Sequence, residues 1–319
     1  MEKNAQLKIS IVTPSYNQSK YLPFTIESVL DQQYPNLEYI IIDGGSSDQS
    51  IDIIKKYERS LSYWISEPDR GQSDAINKGW KRVHGDIIGY LNSDDLLLPG
   101  SLERVAVFFE KNKDVDFIYG NAIFIDESGK KIGRLNGHPF DLRLMLQRKI
   151  TIPQPAMFFR KNLLDEIGYL DEDFHYTMDV DFCLRTAHHH TLIYLPYDLA
   201  AMRVHSEAKT LSMPDLFYLD ELSALTKFFS QPHLPEKIKK CKNLAFARSY
   251  LRGSDALYKK GQFAESKRIA IEGLQLSLWA ILDFRNLILC MSIMTGYDFY
   301  QLGVRMKKRI RPLLLIISS

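Results

Sequence analysis

Two adjacent acids, Asp94 and Asp95, close an apolar run that starts at Ile87 and reaches Leu91. Side-by-side carboxylates repel each other unless water or a cation offsets their charge. Hard divalent cations take carboxylate oxygens and commonly share them with substrate phosphates. The alternative role for this pair is structural: an Asx turn capping a helix that begins near Pro99. A short apolar run bounded by polar residues marks a buried strand of a parallel sheet. Ligands of open α/β sheets bind beyond the carboxyl ends of such strands, where Asp94 and Asp95 fall.

Three earlier segments share this form. Residues 8–14 make a β-branched run stopped by Pro14 and followed by the polar loop Ser15-Tyr16-Asn17-Gln18. Residues 39–43 end in Asp43, ahead of Gly44-Gly45 and a helix start at Ser46-Ser47-Asp48. Residues 63–66 lead to Asp69-Arg70-Gly71-Gln72, where Gly71 opens a helix that carries Asn77. Apolar strands alternating with helical segments imply βαβ units and a mostly parallel central sheet flanked by helices. Four strand ends then converge on one edge: 13–16, Asp43, Asp69 and 92–95. Together they offer what a nucleoside diphosphate requires: an aromatic face, acids for ribose hydroxyls and a cation site for the pyrophosphate.

Composition narrows the alternatives. The 319 residues are 45% hydrophobic and 25% charged with a net charge of +2, which argues against a nucleic-acid scaffold. Three scattered cysteines, Cys183, Cys241 and Cys290, exclude a disulfide framework and fit a reducing, cytoplasmic compartment. The first ten residues lack the apolar core of a signal peptide, and no run of 18 uncharged apolar residues exists to span a bilayer.

Taken in order, Thr13-Pro14-Ser15-Tyr16-Asn17, Ile42-Asp43-Gly44-Gly45-Ser46-Ser47-Asp48, Asp69-Arg70-Gly71 with Ala75, Asn77 and Gly79, and Asn92-Ser93-Asp94-Asp95 resemble the family 2 glycosyltransferases. The resemblance covers about residues 7–212. It implies a GT-A fold, a nucleotide-sugar donor (UDP-linked above all), inversion at the transferred sugar and a Mn²⁺ or Mg²⁺ cofactor. It places Pro14 and Tyr16 at the base, Asp43 at the base or ribose, and Thr13 and Asn17 among the residues that bind the nucleotide-sugar. Asp69 with Gly71 and Gln72 would close over the nucleoside, and Asn77 would also bind the nucleotide-sugar. Ser93, Asp94 and Asp95 stand in the family's metal-binding motif, with Asp94 and Asp95 as metal and ribose ligands. Asn92 departs from the commonest form, which has an acid there.

Further along, residues 117–126 and 156–160 read as strands, with a hairpin turn at Glu127-Ser128-Gly129-Lys130. Met178-Asp179-Val180-Asp181 falls where the family carries an acidic motif at a helix start. Asp179 matches the catalytic base, which takes the acceptor hydroxyl's proton, and Met178 replaces a Glu. Helical spacing pairs Asp181 with Arg185. A strand reads over 199–204, and in the family a His or Arg near this place often reaches the metal or the diphosphate. The resemblance makes His205 the third candidate metal ligand (the alternative being an exposed turn histidine) and Arg203 a lesser candidate to reach the diphosphate. His188-His189-His190 point in different directions on a helix and suit a helix end rather than a metal.

Strand patterns stop after Pro214. Residues 216–229, 238–260 and 262–278 read as helices, with a hairpin turn at 258–266, and residues 276–294 as an apolar packed or interfacial helix. The domains expected are therefore a glycosyltransferase domain over 1–212, with a nucleotide-sugar half (about 1–98) and an acceptor half (99–212), and a helical region over 213–319. A basic cluster at 305–311 joined to the apolar tail 313–317 suits an anionic membrane face and an acceptor on a lipid carrier. The acceptor is otherwise a saccharide of a surface polysaccharide. Two rival functions are a sugar nucleotidyltransferase, for which no Gly/Lys/Arg-rich phosphate loop opens the chain, and a silent scaffold for a partner enzyme.

Overall fold

The computed structural model describes residues 7–209, 213, 215–295 and 299. The chain divides into two compact units, Met1–Met145 with Lys149–Ser212, and Leu146–Arg148 with Met213–Ser319.

The first unit is built on a nine-stranded sheet. β1 (Ile9–Ser15), β2 (Leu37–Asp43), β3 (Tyr63–Ser66) and β4 (Ile87–Tyr90) pair in parallel in the order β3-β2-β1-β4. Helices α1 (Leu22–Leu30), α2 (Ser50–Tyr57) and α3 (Gln72–Trp80) make the crossovers. Past β4 the sheet is mixed. β5 (Leu96–Leu97), β6 (Phe117–Ile125), β7 (Lys131–Leu135), β8 (Met157–Arg160) and β9 (Leu192–Arg203) follow, with α4 (Ser101–Lys111), α5 (Leu142–Leu146), α6 (Asn162–Ile167) and α7 (Met178–His189) between them. β8 lies antiparallel between β4 and β6, while β6 and β9 run parallel. β9 is longer than its apolar pattern suggests. It runs through the exposed Pro196-Tyr197 because its register with β6 shifts there.

The period-2 alternation of the strands feeds two layers. On one face Ile9, Ile11, Tyr39, Ile41 and Ile87 pack with Leu22, Ile26 and Val29 of α1 and Leu102, Val105 and Phe109 of α4. Elsewhere in the core Trp80 of α3 meets Tyr90, Phe159 and Phe182 with ring centroids 5.8, 5.3 and 5.5 Å away. Each such side chain contributes about 1.5–3 kcal/mol on burial. Gly79 lets α3 approach β1, since a Cβ there would collide with Val12. This packing fixes the strand ends: Ser15 lies beside Asp43, and Asp43 beside Ser66.

The second unit is helical: α8 (Phe217–Phe229), α9 (Glu236–Lys239), α10 (Lys242–Lys259), α11 (Phe263–Leu276) and α12 (Phe284–Thr295), with a 3₁₀ turn at Leu278–Leu282. α10 and α11 form the hairpin expected at 258–266, turning at Gly261 with φ +77°. Gly253 admits Tyr218 and Ser254 bonds Ser266 across the pair. Glu221 is buried and bonded by Arg148 and Arg252. The expected apolar helix over 276–294 is broken. Ser277 turns to extended backbone, and the Asp283 carboxylate accepts the N–H of Arg285 to start a new helix. The basic and apolar tail at 305–317 lies outside the described residues, and no described helix is long and apolar enough to cross a membrane.

Candidate active site

The β1 and β2 ends form one hydrogen-bonded loop pair. Asp43 is fully buried, and its Oδ2 accepts the N–H groups of Ser46 (2.8 Å) and Gly45 (3.2 Å) and the hydroxyl of Ser66 (2.7 Å). Its Oδ1 takes the Ser46 hydroxyl at 2.6 Å. Asn17, in the left-handed region at φ +52°, donates its N–H to the Ser46 hydroxyl and accepts the N–H of Ser47. Asp43 and Asn17 thus shape the loops. Tyr16 is left 61% exposed beside them, an aromatic face open to a ligand. Thr13 is buried and its hydroxyl pairs with that of Tyr39, while Pro14 sits within the β1 ladder against Ile42.

Asp69 abuts this pair so closely that a Cβ on Gly44 would collide with its carboxylate. Its Oδ1 accepts the N–H of Gly71 (2.8 Å), and burial raises its pKa. Gly71 caps α3 at φ +118°, a conformation that side chains resist. Gln72, the first residue of α3, donates to Asn92 Oδ1 (2.7 Å) and accepts from Lys209 (3.1 Å). Asn92 in turn donates to Gln154 Oε1 (3.0 Å), and Gln154 to the carbonyl of Tyr90 (3.0 Å). The structure does not bring Asn77 to this edge. Its buried amide exchanges hydrogen bonds with the backbone of Leu170 and reaches Glu172.

Beyond β4 the two acids part company. Asp95 is buried and accepts the backbone N–H of Arg203 at 2.9 Å. Burial, then the neighbouring Asp94, pushes its pKa well up. Asp94 faces His205, with Oδ2 and Nε2 3.0 Å apart. The His205 ring is buried, lies 4.7 Å from the Tyr21 ring, and leaves Nδ1 without a hydrogen-bond partner. Arg203 brackets the turn: Nε donates to the Asp94 carbonyl and one terminal nitrogen to the carbonyls of Asp126 and Glu127. The three expected ligands therefore do not gather as one group, because Asp95 is spent on Arg203. Among the described residues no three His, Cys, Asp or Glu side chains do so.

Asp94 and His205 nevertheless fit a divalent cation. The 3.0 Å between them is a hydrogen bond in this structure. The carboxylate suits Mg²⁺ or Mn²⁺, commonly held by one or two carboxylates plus substrate phosphates, and the imidazole nitrogen would be a second donor once its proton is displaced.

Asp179 is the second residue of α7, half-buried, and its charge raises the pKa of buried Tyr90, second to burial itself. Its neighbour Met178 is buried, and Asp181 holds Arg185 at 2.8 Å as the spacing predicts. The buried hydroxyls of Ser15 and Thr177 lack partners. Sequence reasoning singled out neither these hydroxyls nor Gln154. A polar residue between two prolines within an apolar run was the only sign of the latter.

Comparison with known proteins completes the picture. The family model described as Glycosyl transferase family 2 matches residues 10–168. An uncharacterized glycosyltransferase of Mycobacterium tuberculosis is 35% identical over 182 residues, covering 56% of this chain and 68% of its own. The chain belongs to glycosyl transferase family 2. An uncharacterized glycosyltransferase of Rickettsia typhi extends the likeness at 27% identity to 82% of this chain and 83% of its own. The sheet and its helices match the GT-A fold of S. aureus TarS (residues 1–349, crystallised with UDP-GlcNAc), at a TM-score of 0.65 and 18% identity, covering 92% of this chain and 88% of that one. A mannosyltransferase from Pyrobaculum calidifontis, solved with GDP-Man and Mn²⁺, matches at a TM-score of 0.59 and 14% identity over the same shares. The chain is thus a glycosyltransferase enzyme.

Proposed function

We propose that this glycosyltransferase moves a sugar from a nucleoside-diphosphate donor to a hydroxyl of a saccharide or lipid-linked acceptor, with inversion at the anomeric carbon. The observation that carries the reading is the packing of α7 near the end of β4: the Trp80 ring meets both Tyr90 and Phe182, and Asp179, three residues before Phe182, lies near enough to Tyr90 to raise its pKa. Asp94 follows that strand and pairs with His205, which follows β9.

Tyr16 offers its exposed ring to the base. The loops tied by Asp43 and Asn17, with Asp69 and the backbone around Gly71 and Gln72, bound the nucleoside. Ser93 and Asp94 take the ribose–diphosphate end. Uridine is the proposed base, supported by the complexes of TarS with UDP and UDP-GlcNAc. A divalent cation held by Asp94 Oδ2 and His205 Nε2 would offset charge on the diphosphate.

Asp179 accepts the proton of the acceptor hydroxyl. The hydroxyl oxygen then forms a bond to the anomeric carbon as the bond to the diphosphate oxygen breaks, and that electron pair leaves on the diphosphate. A single displacement of this kind inverts the carbon.

Calorimetric titration with a panel of nucleotide-sugars, with and without Mn²⁺, tests the donor site. One donor should bind, more tightly with Mn²⁺, and Asp94→Ala or His205→Ala should remove the Mn²⁺ effect while circular dichroism shows that the fold is retained. Binding indifferent to both metal and variants refutes the cation site. No binding to any donor favours the scaffold reading.

A further inference from the structure

Among its described residues, the helical unit leaves an apolar surface exposed. In the 3₁₀ turn Leu278–Leu282, Ala280 is buried and Ile281 packs on the core, yet Leu278, Trp279 and Leu282 are 71%, 71% and 70% exposed. Residues three apart in a 3₁₀ turn eclipse one another, so Trp279 and Leu282 project from the same side. Leu278 also edges an apolar cleft of about 470 Å³ lined by Ile271, Leu274, Cys290 and Ile293. Ile271 is itself 46% exposed. Three large apolar side chains at this exposure on one turn mark an interaction surface.

We infer that this face seats the enzyme on an anionic lipid bilayer, with Trp279 and Leu282 entering the headgroup–acyl boundary. The occupant is argued from chemistry. Tryptophan flanked by leucines suits the membrane interface, where the ring is buried and its N–H stays near water. The chain that follows carries Arg305, Lys307, Lys308, Arg309 and Arg311 with no acid after Asp298, and then Leu313, Leu314, Leu315, Ile316 and Ile317. Clustered cations beside apolar side chains favour anionic lipid, each cation adding to the attraction. The inference does not rest on the donor chemistry proposed above, and its test needs no sugar transfer.

The test sediments the full-length protein with phosphatidylcholine vesicles, with and without phosphatidylglycerol, and follows tryptophan emission. Trp80 is buried and Trp64 half-buried, so a blue shift reports chiefly on Trp279. The wild type should pellet with the anionic vesicles and shift to the blue. Trp279→Phe should still pellet but lose most of the shift. Leu278→Ser/Trp279→Ser/Leu282→Ser should lose at least tenfold in partitioning while its circular dichroism and melting temperature match the wild type. Failure of the wild type to pellet overturns the inference, as does equal pelleting of the triple variant. So does a wild-type dimer that the triple variant converts to monomer without any vesicle binding, which would assign the face to a second copy.

Discussion

Replacing Asp43 separates the loop's architecture from its chemistry. In the folded chain its two oxygens accept two backbone N–H groups and two hydroxyls, all from residues 45–66. Asp43→Ala removes every one of these acceptors from a buried position. The Ser46 and Ser66 hydroxyls can turn to other partners, but the N–H of Ser46, in a buried residue, has no such freedom. A buried donor left unpaired costs about 1–3 kcal/mol, and more where its partner was charged. Adding the lost charge-assisted bonds gives about 3–5 kcal/mol. At about 2–4 °C per kcal/mol for a domain of this size, the apparent melting temperature should fall by about 6–20 °C. Asp43→Asn behaves differently. Its amide oxygen can keep the three bonds made to Oδ2, and its NH₂ can face the Ser46 hydroxyl, which can accept as well as donate. That variant should lose only about 1–2 kcal/mol. Thermal unfolding followed by circular dichroism is the assay, with wild type, Asn and Ala side by side. An Ala variant melting within about 2 °C of wild type would refute the reasoning, because one lost bond alone should exceed that.

Two further outcomes are expected. Asp179→Asn should lower kcat by about 10²–10⁴-fold, the range of a lost general base, while leaving donor affinity nearly unchanged; steady-state kinetics with paired donor titrations would show it, and an unchanged kcat removes Asp179 from the mechanism. Glu38 gives the first unit an acid-sensitive contribution: burial pushes its pKa up, but the His84 N–H, the Ser10 hydroxyl and Lys8 outweigh this and hold it at about 2, below the ordinary 4.5. A depressed acid stabilises the fold above its unfolded pKa, and that contribution fades as pH falls from there towards about 2. Glu38→Gln should therefore narrow the stability gap to wild type as urea unfolding is moved from pH 7 to pH 3, and a pH-independent gap would contradict the assignment.

Much of this architecture is legible in the sequence because its signals are local. An acid at the end of an apolar strand, a glycine opening a helix and an i,i+4 Asp–Arg pair each depend on neighbours within a few residues. Asp43, Gly71 and Asp181 are found that way. What local pattern hides is direction. Asn77 follows Gln72 by five residues, about 140° further around α3, so it faces Leu170 while Gln72 faces Asn92. Asp94 and Asp95 are equivalent in sequence, yet alternate sides of the chain send one to His205 and the other to Arg203. The break at Ser277–Asp283 is hidden differently, since the apolar pattern runs on while the backbone turns. Gln154 comes from a remote segment, and no spacing links it to Asn92.

The amide chain through Gln72, Asn92 and Gln154 bears on what position 92 can hold. One end is an ammonium, which only donates; the other is the Tyr90 carbonyl, which only accepts. Every amide between them is thereby given one orientation, like dominoes laid between two fixed ends. Gln154 must show its oxygen to residue 92, and an ionised acid there would set oxygen against oxygen. An acid at position 92 would therefore sit well only with a partner at 154 that donates to it, so the two positions act as one unit.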